Sequence, residues 1–244
     1  TVIPGKVGRI QLQDQSALPF ATRGTLWFAM PLREGELLNL RDIEQGLENL
    51  KRVPSAEADF QLVPSENVGE TDIVVGYKQR FPFHITLGLD DSGSKATGRL
   101  QGSATFSWDN VLTLNDMFYI SGTRSFKRHS DKAEGDYGSQ NISLYYSIPW
   151  KNYQLSLSGS RYRYHQTVAG AFESYTYSGE SRQMKANLSR LLWRDSRSKT
   201  YLNAALWARQ SQNYINDTEI EVQRRRTAGW EAGLSHTHYI YDGV

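Results

Sequence analysis

Past Phe83 the chain takes up a period of two. Apolar residues recur at every second position in stretches of roughly ten residues, the pattern of strands with one apolar and one polar face. The clearest stretch sets Leu100, Gly102, Ala104, Phe106 and Trp108 against Gln101, Ser103, Thr105 and Ser107. A second sets Ile142, Leu144, Tyr146, Ile148 and Trp150 against Asn141, Ser143, Tyr145 and Ser147. Met184-Ala186-Leu188, Leu202-Ala204-Leu206-Ala208 and Trp230-Ala232-Leu234 give three more, and residues 117–126 another. Leu155 and Leu157 begin a further strand, whose Tyr162 and Tyr164 lie on the opposite parity. That switch requires either a bulge or tyrosines on the polar face. Counted from Phe83, eight strands are predicted.

The connectors alternate in length. Residues 109–116, 150–153 and 195–199 are fairly short. Residues 127–139, 169–181 and 213–227 are longer and polar, and 90–97 is modest. Short turns at one end and long loops at the other mark an outer-membrane β-barrel. A soluble β-sandwich would also alternate, but with an apolar face richer in Val and Ile and a more charged polar face. Here the polar faces are mostly Ser, Thr, Asn and Gln, which suits a wet lumen. The lumen candidates are Gln101, Ser103, Thr105, Ser107, Asn141, Ser143 and Tyr145. The lipid and aromatic-girdle candidates are Leu100, Ala104, Phe106, Trp108, Ile142, Leu144, Tyr146 and Trp150.

Before Phe83 the pattern is that of a small α+β module. Val7, Ile10 and Leu12 predict a strand, and 19–30 a short helix ending before Pro31. Residues 37–50 predict the clearest helix, with Leu40, Ile43, Leu47 and Leu50 as one core stripe. Asn39 is its N-cap, and Leu38 and Ile43 form a hydrophobic staple. Gly46 costs that helix about 1 kcal/mol relative to Ala. Ala58, Phe60 and Leu62 alternate with Asp59 and Gln61 in one strand, and Ile73-Val74-Val75 opens the next. Residues 72–98 join the two regions, with Pro82 breaking the strand between them.

Composition narrows the function. No run of roughly 18 apolar residues exists, which excludes transmembrane helices, and a mean hydropathy of −0.58 is what an alternating barrel would show. With no cysteine there is no disulfide or thiolate chemistry, and a net charge of +2 makes no case for nucleic acid. His236 and His238 share a strand face without a further ligand nearby, so they are read as surface histidines rather than a metal pair. Asp90-Asp91-Ser92-Gly93 is turn chemistry. Arg224-Arg225-Arg226 reads as a solvated loop or strand end, with lipopolysaccharide phosphates as the alternative. No nucleophile elbow, P-loop or dinucleotide signature occurs, so neither an enzyme nor a cofactor is expected.

Two blocks carry a resemblance. LNLRDIEQGLENLKRVPSAEADFQLVPSENVGETDIVV, residues 38–75, resembles the second POTRA domain of the TpsB transporters of two-partner secretion. These include the exporters of haemolysins, filamentous adhesins and contact-dependent-inhibition toxins. LGLDDSGSKATGRLQGSATFSWDN, residues 87–110, resembles their first barrel hairpin, and GSRYRYHQTVAG, residues 159–170, also fits. The resemblance implies the end of a first POTRA domain at 1–5, a second at 6–80, and the N-terminal half of the barrel at 81–244. That is eight strands of an expected total of about 16. The family's VRGY loop and a later acidic strand residue do not occur, so the sequence is expected to be a fragment.

The implied function is passage of a large exoprotein, bearing an N-terminal secretion domain, from periplasm to cell surface. The implied partners are that exoprotein and outer-membrane lipid. The docking candidates are Glu57, Asp59, Phe60, Gln61 and Leu62, a strand edge open to β-augmentation, with Phe60 and Leu62 holding the sheet to its helices. The plainer view is a solvated edge blunted by charge. A barrel-assembly factor with the same POTRA-barrel plan, and a soluble binding sandwich, are the other functional readings.

Overall fold

The computed structural model describes residues 5–17, 21–127 and 135–240. The expected first-POTRA tail at Thr1 to Pro4, the beginning of the predicted 19–30 helix and the middle of the 127–139 connector lie outside them.

The first part folds in the order β1 (Lys6–Asp14), α1 (Arg23–Ala29), α2 (Leu40–Leu50), β2 (Ala56–Pro64) and β3 (Glu70–Gln79). Its sheet order is β1-β3-β2, with β1 parallel and β2 antiparallel to the central β3. Val7, Ile43, Leu50, Val53, Ile73, Val75 and Tyr77 are fully buried between this sheet and the two helices. The Asn39 side chain accepts the Arg41 amide at 3.0 Å, fixing where α2 begins. Leu38 packs against the core cluster of which buried Ile43 is a member. Between Val7 and Ile10 the β1–β3 register slips, and the Asp72 carboxylate accepts the Arg9 amide there at 2.8 Å. Any Cβ on Gly8 would collide with that carboxylate.

Two expectations for this module need correction. Leu40 is 47% exposed: as the first helical residue it lies beyond the sheet, and the buried face of α2 runs instead through Ile43, Gln45, Gly46, Asn49 and Leu50. Leu62 is 44% exposed, because burial along β2 fades beyond Phe60 as the strand leaves the helical layer. Phe60 alone of that pair packs against the core.

After residues 80–82 the chain enters an antiparallel meander: β4 (Phe83–Asp90), β5 (Leu100–Asp109), β6 (Met117–Phe126), β7 (Tyr137–Trp150), β8 (Tyr153–Ala169), β9 (Ser174–Arg194), β10 (Ser198–Ile215) and β12 (Arg225–His238). A two-residue strand, β11 (Thr218–Glu219), extends the far end of β10. The eight long strands are those predicted. The 169–181 connector is shorter than predicted: β8 and β9 pair to Ala169 and Ser174. Cross-strand backbone bonds hold this hairpin where neither face is apolar, so the apolar pattern misses its length. No bulge interrupts β8, which puts Tyr162 and Tyr164 opposite Asn141 and Ser139 on the polar face.

Candidate functional site

Three features could act on another molecule: the polar face of the large sheet, the edge of the small one, and the junction between them. On the polar face the register aligns Gln101 with Ser125, Ser103 with Thr123, Thr105 with Ser121 and Ser107 with Tyr119. It then aligns Asn141, Ser143 and Tyr145 with Thr123, Ser121 and Tyr119. All seven polar candidates therefore share one face. Their side chains bond to one another, as in Thr105 to Ser121 (3.1 Å) and Asn141 to Ser143 (3.1 Å). Tyr119 stacks on Tyr145 at 4.7 Å. Across the remaining strands this face is chiefly hydroxyl and amide among the described residues, and it also carries Trp207, Arg209, Arg225 and the ion pair of Lys185 with Glu231 at 2.7 Å.

The eight apolar candidates share the other face. Ala104 lies between Leu87 and Gly122, Phe106 between Ile85 and Ile120, and Leu144 between Ile120 and Gly159. Leu100 faces Phe126, Ile142 faces Gly122, and Tyr146 faces Phe118. Aromatics gather where these strands approach the small module. Trp108 lies 5.1 Å from Phe83, and Trp150 stacks on Tyr153 at 5.6 Å with Trp27 of α1 at 6.5 Å.

Among the described residues no strand covers the outer edge of β2, so Glu57 to Leu62 form an open edge. Asp59 and Gln61 are exposed, and the Asp59 side chain lies across Gly76 of β3, close enough that a Cβ there would clash. Glu57 pairs with Arg80 at 3.1 Å. The edge is therefore accessible and carries charge at one end.

The junction is the part the sequence concealed. All three short turns of the large sheet bind the small module. In the β5–β6 turn, Asp109 accepts the Ser55 amide (3.0 Å) and the Asn110 amide nitrogen donates to Gln79 (3.0 Å). Asn115 donates to the Thr25 carbonyl at 3.0 Å, while the Thr25 hydroxyl donates to the Thr113 carbonyl at 2.6 Å. Thr25, Ser55, Gln79, Asp109, Asn110 and Asn115 are all buried. At the β7–β8 turn, Asn49 of α2 donates to the Lys151 carbonyl at 2.8 Å, and the Lys151 amide donates to Phe28 at 2.6 Å.

At the β9–β10 turn the contact is ionic. Arg194 reaches Glu48 at 2.6 Å and Gln45 at 2.8 Å, and Lys199 reaches Glu48 at 2.5 Å. Burial opposes ionisation of Glu48, yet the hydrogen bonds from Lys199 and Arg194 prevail and hold its carboxyl below the usual range. Asp195 ties the same turn together by accepting the Ser198 hydroxyl (2.7 Å), the Arg197 amide (2.7 Å) and the Trp193 indole (3.1 Å). These bonds hold its pKa far below that of an ordinary carboxylate.

The family model for the haemolysin secretion/activation protein ShlB/FhaC/HecB matches residues 69–244, and the POTRA domain model matches 6–64. The chain belongs to the ShlB/FhaC/HecB family. This is a family of transporters; the chain is an outer-membrane protein, its POTRA domain is periplasmic, and its meander is part of an antiparallel β-barrel. The outer membrane transporter CdiB-2 of Burkholderia pseudomallei is 33% identical over 239 residues, which is 98% of this chain and 39% of that protein. The solved CdiB structures from Acinetobacter baumannii and Escherichia coli superpose with TM-scores of 0.85 and 0.83, each at 28% identity. They cover 98% and 96% of this chain, and 44% and 42% of theirs. The chain thus spans about two-fifths of the length of its relatives.

The other residues singled out by sequence find plain roles. Asp90 accepts the Ser92 amide at 3.0 Å, a local turn. His236 bonds Thr200 across the strand pair at 2.9 Å. Among the described residues no group of three or more potential metal ligands comes together. The basic triplet divides: Arg224 pairs with Glu219 at 2.6 Å, Arg225 lies opposite Ser211, and Arg226 lies opposite Gln210 on the other face.

Proposed function

We propose that this chain is the capture module and first wall of a pore that carries a large secreted exoprotein across the outer membrane. The division falls at residues 80–81, with the module at 6–80 and the wall from 81 onward. The observation that supports the reading best is the two-faced sheet, with one face of hydroxyls and amides and the other apolar and ringed by aromatics. The polar face lines the lumen: neutral hydrogen bonds contribute about 1 kcal/mol each and exchange readily with water, so an extended chain slides along Gln101, Ser103, Thr105, Asn141 and Ser143 without being trapped. The apolar face meets lipid.

In this reading the β2 edge receives the exoprotein's N-terminal secretion domain as an added strand, with Asp59 and Gln61 selecting among partners. The rigid junction then aims the captured segment at the wall. No catalytic step and no cofactor is called for; passage uses weak binding and directional folding outside the cell. The test is exoprotein secretion by the full-length transporter carrying Asp59→Arg with Gln61→Arg, or Phe60→Asp. Secretion should fall while the barrel still folds and inserts, as judged by heat-modifiable gel mobility. Unchanged secretion in both variants would remove the docking role.

A further inference from the structure

At the end of the sheet away from the POTRA domain, the apolar face turns basic. The register places Ile142, Arg161 and Arg182 in one row, and Arg124, Gln140, Arg163 and Glu180 in the next. Glu180 is only 16% exposed and is gripped by three guanidiniums: Arg161 through two bonds of 2.9 Å, Arg163 at 2.9 Å, and Arg182. One arginine would satisfy that carboxylate. Instead three converge on it, 41%, 51% and 55% exposed, with exposed Arg124 in the same row two strands from Arg163, across Gln140. Four cations against one carboxylate leave an excess of three positive charges. The Asp136 carboxylate at the rim is already engaged by Lys127 at 2.6 Å and by His165 at 3.5 Å.

The next row toward the POTRA domain is Ile120, Leu144, Gly159 and Met184. A ligand on this surface therefore meets hydrocarbon first and then, one or two rungs further on, a fork of planar cations suited to phosphate oxygens. We propose that Arg124, Arg161, Arg163 and Arg182 bind the phosphorylated sugar headgroup of a glycolipid in the outer leaflet, whose acyl chains lie along the apolar rows. This rests on the apolar face meeting lipid. Glu180 occupies the guanidiniums of the β8–β9 hairpin and competes with the phosphate for them. The site differs from the Arg224-Arg225-Arg226 run, which contributes only Arg226 to this face.

The test is native mass spectrometry of the full-length protein in nonionic detergent, titrated with lipid A, with dephosphorylated lipid A and with inorganic phosphate. The proposal expects lipid A to bind on the order of tenfold more tightly than the dephosphorylated form. R163Q/R182Q should remove that preference, and E180Q, which frees guanidiniums and adds positive charge, should strengthen it. The opposite signs keep the test decisive if the double variant fails to fold. Equal binding of the two lipids, or E180Q weakening the preference, overturns the proposal. Displacement of lipid A by equimolar inorganic phosphate also overturns it, by showing a free-anion site. Photo-crosslinkers at Ala186 and Leu206 report separately on the face: capture of lipid there, without a phosphate preference, overturns the headgroup site while leaving the pore reading intact.

Discussion

The Thr25 hydroxyl donates to the carbonyl of Thr113 at 2.6 Å, across the boundary between the POTRA domain and the first periplasmic turn of the barrel. Thr113 sits at φ +58°, between Asn110 at +62° and Asn115 at +59°. A β-branched residue in the left-handed region is strained, and it persists where its surroundings fix it. Thr25→Val leaves that carbonyl without its donor and should loosen docking by about 1–3 kcal/mol. The measurement is protease cleavage or amide exchange at residues 80–82, which should speed up. Thr113→Gly, which relaxes the backbone while keeping the carbonyl, should be tolerated much better.

Glu48 predicts a pH dependence. Its carboxyl is held below the ordinary value of 4.5 in the docked state, where burial is outweighed by Lys199 and Arg194. A depressed carboxylate contributes stability above its undocked value, and that contribution is lost as pH falls through the depressed one. Glu48 is 43% exposed, so the contribution is about 1 kcal/mol or less after screening. Hinge protection in the wild type should exceed that in Glu48→Gln at pH 7, and the two should converge below pH 4.5.

Gly46 separates helix propensity from packing. Alanine would favour the isolated helix by about 1 kcal/mol. In the fold, an added Cβ runs into the Met30 thioether, and Met30 is itself buried. Overpacking costs about 1–3 kcal/mol, so Gly46→Ala should lower the POTRA domain's urea midpoint rather than raise it. Pairing it with Met30→Val should recover part of the loss.

The regular parts of this fold were open to view in the sequence. Period-two alternation assigned residues such as Ala104 and Thr105 to opposite faces, because a strand projects successive side chains to opposite sides and neither residue needs a distant partner for that. The Asn39 cap and the strand break at Pro82 are equally local. Asp109, Asn110 and Asn115 were different. They have the composition of a solvated turn, and only the docking of α1 and β3 onto that turn buries them. Gln45 and Asn49 were hidden in the same way, as polar residues on a helix whose partner is another polar surface. The arginine rows did leave a trace: Arg161 and Arg163 share the parity of Leu155 and Leu157, an apolar stripe that turns cationic toward the end of the strand away from the POTRA domain.

The central claim is that consecutive residues of β5 and β7 face different environments, a passing polypeptide and lipid. The most direct measurement is site-specific photo-crosslinking in the full-length transporter with an exoprotein stalled in transit, taking Ser103, Ala104, Thr105, Asn141 and Ile142 in turn. Exoprotein adducts are expected from Ser103, Thr105 and Asn141, and lipid adducts from Ala104 and Ile142. Exoprotein adducts from Ala104 and Ile142, or the same products at every position, would contradict the claim.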